Sequence, residues 1–244
     1  MMRFSFSAAV TGIACVLGLA RSVEAQLLYP SADANVEEHT PTSDDTTQAR
    51  IQVRSRDVAG TGRQNVGYIQ FDLSGILSPL TDVRFEVTMQ STRASAAGVN
   101  QVYGLNDVAG NTAQNWTSLT YNTTGAELPG DGDSTTQDLG SIGTTGAENL
   151  WNIGDLPAIA GVAEEIIAIN HLSNPELLSF LNSRIGNLAT LLLVQDNAAD
   201  IDLLFNSVED PENLRPKLFI PEPSGGVLLG LGFLALAARR RRTA

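Results

Sequence analysis

The stretch Val83-Arg84-Phe85-Glu86-Val87-Thr88-Met89 sets Val83, Phe85, Val87 and Met89 on one side of an extended chain and polar residues on the other. Period two over seven residues marks a strand with one buried face. Working outward, residues 66–73 repeat the pattern with Ile69, Phe71 and Leu73 on one face, and Asp72-Leu73-Ser74-Gly75 then leads into a turn. Further strands are predicted at residues 51–54, 101–105, 166–170, 188–195, 201–205 and 216–220. Short strands separated by Gly, Asn, Asp and Ser, with no repeated helical crossover, predict an all-β protein of antiparallel sheets packed face to face. One short helix interrupts them. Ser173-Asn174-Pro175-Glu176 combines a cap residue, a proline suited to the first turn and an early acid, Leu177, Leu178, Phe180, Leu181 and Ile185 recur near helical spacing, and Gly186 is a stop. Residues 123–146, rich in Gly, Ser, Thr and Asp, read as a long surface connection. No internal repeat points to a propeller or solenoid.

The two ends carry a different signal. Residues 1–25 have a basic start at Arg3, an apolar and small run over residues 4–20, and Val23-Glu24-Ala25 before a cut after Ala25, the layout of a secretory signal peptide read by signal peptidase. The alternatives, an uncleaved anchor or a lipoprotein acceptor at Cys15, fit less well. The run is short of the roughly 20 residues that span a bilayer, and it continues past the cysteine. At the other end, Pro221-Glu222-Pro223 precedes an apolar run over residues 225–238 and then Arg239, Arg240, Arg241 and Arg242. Four arginines stay cytoplasmic and hold the preceding domain outside. Fourteen apolar residues give a helix of only about 21 Å, a thin permanent span and a serviceable temporary one. The order of these three parts resembles the PEP-CTERM sorting signal, whose apolar helix is a transient inner-membrane anchor and whose tail an exosortase removes. The domain layout is therefore residues 1–25 as signal peptide, 26–220 as the β-sandwich and 221–244 as the sorting signal.

Composition narrows the function. Across 244 residues there are 15 Lys+Arg against 27 Asp+Glu, a net charge of −12, and residues 26–220 hold 9 against 25, a net −16. No nucleic-acid partner is expected of such a surface, since nucleic acids are held mainly by Lys and Arg on phosphates. Cys15 is the only cysteine, which excludes disulfides and cysteine-ligated metal centres. The two histidines, His39 and His171, lie 132 positions apart and make no evident metal pair.

Five short motifs occur in order: Asp33-Ala34-Asn35-Val36, Tyr68-Ile69-Gln70-Phe71-Asp72-Leu73-Ser74, Trp116-Thr117-Ser118-Leu119-Thr120-Tyr121-Asn122, Phe205-Asn206-Ser207-Val208-Glu209 and Arg215-Pro216-Lys217-Leu218. In that order they resemble DNRLRE-type domains, jelly-roll sandwiches related to alginate-binding carbohydrate modules of secreted bacterial proteins, over nearly all of residues 27–220. The resemblance implies a jelly roll, a structural role for Trp116 and an extracellular polysaccharide partner. Val208 stands where the family has an arginine, which removes a cation suited to a carboxylate-bearing sugar, and the early Asn-x-Gly is not evident before Arg50.

Catalysis needs a nucleophile or paired carboxylates in one cleft. The adjacent acids Glu37-Glu38, Asp44-Asp45 and Glu164-Glu165 read as solvated charge, no Gly-x-Ser-x-Gly is present, and His171 reads as a structural or exposed histidine. The chain is therefore expected not to be an enzyme. Asp131, Asp133 and Asp138 place hard oxygen donors together and are the candidate calcium site, with an ordinary acidic turn as the alternative; Asp196, Asp200 and Asp202 form a weaker one. Trp151 and Tyr103 are the candidate sugar-stacking aromatics, against core packing as the more ordinary role. The sequence thus points to a secreted or cell-surface, non-catalytic protein that binds or organises extracellular polysaccharide. The competing readings are a structural matrix or adhesion protein without a specific glycan, and a polysaccharide lyase or hydrolase.

Overall fold

The computed structural model describes residues 25–37, 50–56, 63–92, 100–105, 150–195 and 201–221. Among these residues eleven strands run in chain order: β1 (Ala25–Leu28), β2 (Ala32–Glu37), β3 (Ile51–Arg56), β4 (Arg63–Asp72), β5 (Arg84–Thr92), β6 (Asn100–Leu105), β7 (Leu150–Asp155), β8 (Ile166–Asn170), β9 (Leu188–Gln195), β10 (Ile201–Phe205) and β11 (Lys217–Pro221). A helix, α1 (Pro175–Ser183), lies between β8 and β9. Each strand expected from the sequence is present, and β1, β2 and β7 are additional. The described residues are mostly β, as the alternating pattern predicts.

The strands form one curled sheet in the order β1-β11-β5-β10-β3-β4-β9-β6-β7, with β2 paired to β4 and β8 to β5. The strand β5, the most regular in the sequence, is its pivot. Its first half pairs with β8 (Phe85 opposite Ile169) and with β11 (Phe85 opposite Leu218). Its second half pairs with β10, with a register shift between Leu204 and Phe205. Such an irregularity bends a strand and lets the sheet curl. Across the interior Phe71 of β4 meets Phe85 of β5 edge to face, 6.1 Å between centroids.

Leu27–Ile220 is a compact unit by itself, and the chain ends fall outside it. Its main core joins Ile51, Val53, Ile69, Phe71, Phe85 and Phe205. A second buried cluster takes Val66, Tyr68, Tyr103, Leu105, Leu192 and Val194. Two cores explain why β9 is almost continuously apolar. Ala189, Leu191 and Leu193 serve the first and Leu192 and Val194 the second, so both of its faces are buried.

The helix begins where proline and acid were expected but is capped differently. Asn174 holds the cap position without a side-chain bond to the helix. Its Nδ2 instead donates to the carbonyls of Ile153 (3.5 Å) and Asp155 (3.4 Å) on β7. Ser173 Oγ donates to Asn174 Oδ1 at 2.8 Å. The cap residue has therefore been used to pin the helix start to the sheet edge. At the far end, Asn182 exchanges two bonds with Leu80, accepting from its N–H at 2.7 Å and donating to its carbonyl at 3.1 Å.

Candidate functional site

The partly buried Trp151 sits on β7 directly opposite Gly104 of β6. With no side chain on Gly104, the Phe180 ring of α1 lies against that backbone; a Cβ there would collide with the ring. Phe180 meets Trp151 edge to face at 6.1 Å, and Trp151 Nε1 donates to Glu176 Oε2 at 2.8 Å. One indole is thus fixed by a sheet, a helix and a carboxylate, with part of its surface in water. The ring also packs against the main core, the more ordinary of the two roles expected for it. Tyr103 differs: it is 5% exposed, belongs to the second core cluster, and donates its hydroxyl proton to Gln101 Oε1 at 2.5 Å.

Two of the short motifs, far apart in sequence, meet. Asp33 of β2, 4% exposed, accepts the Val208 N–H through Oδ2 at 2.6 Å. In the same turn Ser207 donates its N–H to Asp210 Oδ2 (2.8 Å) and its hydroxyl to Glu209 Oε2 (2.5 Å). Burial above all, opposed by the Val208 N–H that favours the charged form and aided by the charges of Glu209 and Asp210, pushes the Asp33 carboxyl up to about 7. Asn35, two residues along, accepts the Gln52 N–H at 2.6 Å and donates to the Arg50 carbonyl at 2.8 Å. Both side chains satisfy backbone groups between strands, a structural use of buried polar residues.

The remaining candidates are distributed as follows. Glu165 closes a loop by accepting from Ala160 N (2.9 Å) and Gly161 N (2.8 Å), a fixed role in place of the solvated one expected. His171 Nδ1 lies 2.6 Å from Asp82 Oδ1. Of the weaker acidic trio only Asp202 is described, 5% exposed and bound by Gln52 Nε2 at 2.7 Å. Asp131, Asp133, Asp138 and Trp116 lie outside the described residues. Among the described residues no group of three His, Cys, Asp or Glu is placed to hold a metal ion, and no helix is long and apolar enough to cross a membrane. Residues 225–238 and Arg239 to Arg242 are outside that description.

The last strand carries the decisive sequence. The PEP-CTERM protein-sorting motif matches residues 219–242, from Phe219 of β11 through the arginine cluster. The tail is a PEP-CTERM sorting motif. It marks the protein for export with a membrane-anchored sorting signal and for recognition by an exosortase. The sorting motif opens two residues before Pro221, and its first three residues are those that end the sheet. No curated protein matches the chain.

Sequence reasoning missed the bond between Glu176 and Trp151 and the convergence of Asp33 on Val208. The first had a local signal, an acid in the first turn of a helix. The second had none, because 175 positions separate the two residues.

Proposed function

We propose that the protein is a non-catalytic, exosortase-processed component of the cell surface or extracellular matrix that binds or organises extracellular polysaccharide. Its signal peptide is cut after Ala25, its tail is removed within residues 221–224, and residues 26–220 are a jelly-roll sandwich of the DNRLRE type. The observation that carries this reading is the sorting motif joined directly to the end of a β-sheet domain. The ring of Trp151, held by Glu176 and Phe180 and only partly buried, supports a sugar contact. Calcium at Asp131, Asp133 and Asp138 would let so acidic a domain approach an anionic polymer.

The test is a glycan array probed with the full chain in a non-ionic detergent, in calcium and in chelator. Saturable binding that falls at least tenfold in Trp151→Ala is expected, in keeping with the stacking energy of an aromatic platform. Silence across the array would leave the structural matrix reading in its place. Release of sugar, abolished by changing one acid, would make the protein an enzyme.

A further inference from the structure

A cut after Ala25 makes Gln26 the first residue of the mature chain and gives it a free α-amine. That amine and the side-chain amide belong to one residue, so the nitrogen reaches Cδ by closing a five-membered ring. Nucleophile and acyl group are already held together, and the step is unimolecular. An α-amine titrates at about 7.7–8.0, so near neutral pH a share of it is unprotonated and nucleophilic.

The fold is compatible with that closure. Gln26 is exposed. It lies in β1, the first strand in the sheet order, and among the described residues no strand lies on the far side of β1. What holds β1 is its backbone pairing with β11 and the packing of Leu28 against the main core. Neither uses the Gln26 side chain. The ring would take in only the atoms of Gln26 from N to Cδ, so the Gln26 carbonyl and the peptide to Leu27 keep their places in the strand. The lactam nitrogen also keeps one hydrogen. It remains a donor of the kind a strand presents, whereas an uncyclised terminus would bring a charged ammonium to the edge of the sheet.

We infer that Gln26 is a modification site, converted to pyroglutamate once the leader has been cut away. The α-amine nitrogen attacks Cδ, an N–Cδ bond forms, and the bond from Cδ to the amide nitrogen breaks. That nitrogen leaves as ammonia, carrying the proton that the attacking amine gives up. Nothing is oxidised or reduced, and no second reactant is consumed. The product has neither the charge nor the free amine of an ordinary terminus. Chain ends are where proteolysis concentrates, and an aminopeptidase needs that amine, so a protein delivered outside the cell gains a closed end. This goes beyond the proposed export route and rests on its cut after Ala25.

The test uses the full chain expressed in a host with the matching exosortase and recovered outside it. Free amines are reductively methylated before any digestion, and cleavage at arginine then yields an N-terminal peptide of residues 26–50. The parent is compared with Gln26→Ala by mass spectrometry. In the parent this peptide is expected unmethylated at its terminus and lighter by one ammonia, and pyroglutamyl aminopeptidase should remove its first residue to expose Leu27. In Gln26→Ala it should begin at the same position, carry the methyl label and show no loss of ammonia. A methylated Gln26 in most of the molecules would overturn the modification and leave the cut in place. Loss of ammonia that persists in Gln26→Ala would put it on another amide and overturn the site. A terminus at any other residue would remove the cut and the modification together.

Discussion

Replacing Phe180 by alanine is expected to cost about 3–5 kcal/mol, the range for a large aromatic removed from a packed interior. Phe180 is fully buried and joins three parts of the molecule. Its ring rests on the Gly104 backbone of β6, meets Trp151 of β7 at 6.1 Å and lies 5.8 Å beneath the guanidinium of the buried Arg184. The cavity left by truncation has rigid walls on the sheet side, so little collapse offsets the loss. The surrounding cation also loses the face of its aromatic partner. In a domain of this size the midpoint should fall by roughly 10 °C. Thermal and urea unfolding, followed by tryptophan fluorescence, check this directly. A loss below about 1 kcal/mol would mean that α1 does not dock through Phe180.

The second large effect concerns acidity. The Asp33 carboxyl is raised to about 7 by burial, whereas in the unfolded chain it titrates near its ordinary value of about 3.9. Between these values the folded state holds a proton that the unfolded state has released, so raising the pH pulls the equilibrium toward unfolding. The stabilising contribution is complete below about pH 4 and is lost as pH rises through about 7. The loss is on the order of 2–4 kcal/mol, since each tenfold difference in proton affinity between the folded and unfolded states is worth about 1.4 kcal/mol. Asp33→Asn keeps an oxygen for the Val208 N–H and cannot ionise. It should flatten the decline between pH 5 and pH 8 in urea unfolding. Parent and variant curves that fall in parallel across that window would show that Asp33 is not the group responsible.

How far the sequence could be read depended on whether the cause was local. The strand β5 was legible because one face is apolar and the other polar, so Val83, Phe85, Val87 and Met89 alternate in plain view, although the polar Glu86 and Thr88 between them are buried as well. The apolar run of β9 was legible by length and flanking turns, but its two-sided burial was not, since a run such as Leu191-Leu192-Leu193 looks the same with one core or two. The strand β7 escaped because its buried residues, Leu150 and Ile153, are three apart, with Gly154 at φ 124 in the left-handed region and a register shift in the facing β6. The strand β2 was concealed by Asp33 and Asn35, polar residues buried to serve distant backbone groups. The sorting motif was the most legible feature, because a tripeptide, an apolar block and a basic block in fixed order need no folded context. For the sites the position is reversed. That Asp33 meets the Val208 N–H depends on how distant strands come together, and that Trp151 is held by Glu176 depends on where a helix docks.

The central claim is that a folded β-sheet domain is carried to the surface by a tail that is then removed. Intact mass measurement of the protein recovered outside a host with the matching exosortase tests it most directly. The account predicts a chain beginning at Gln26 and ending within residues 221–224, just beyond β11 and with Leu218 and Ile220 of the core retained. Extracellular protein that still carries Arg239 to Arg242 would contradict it.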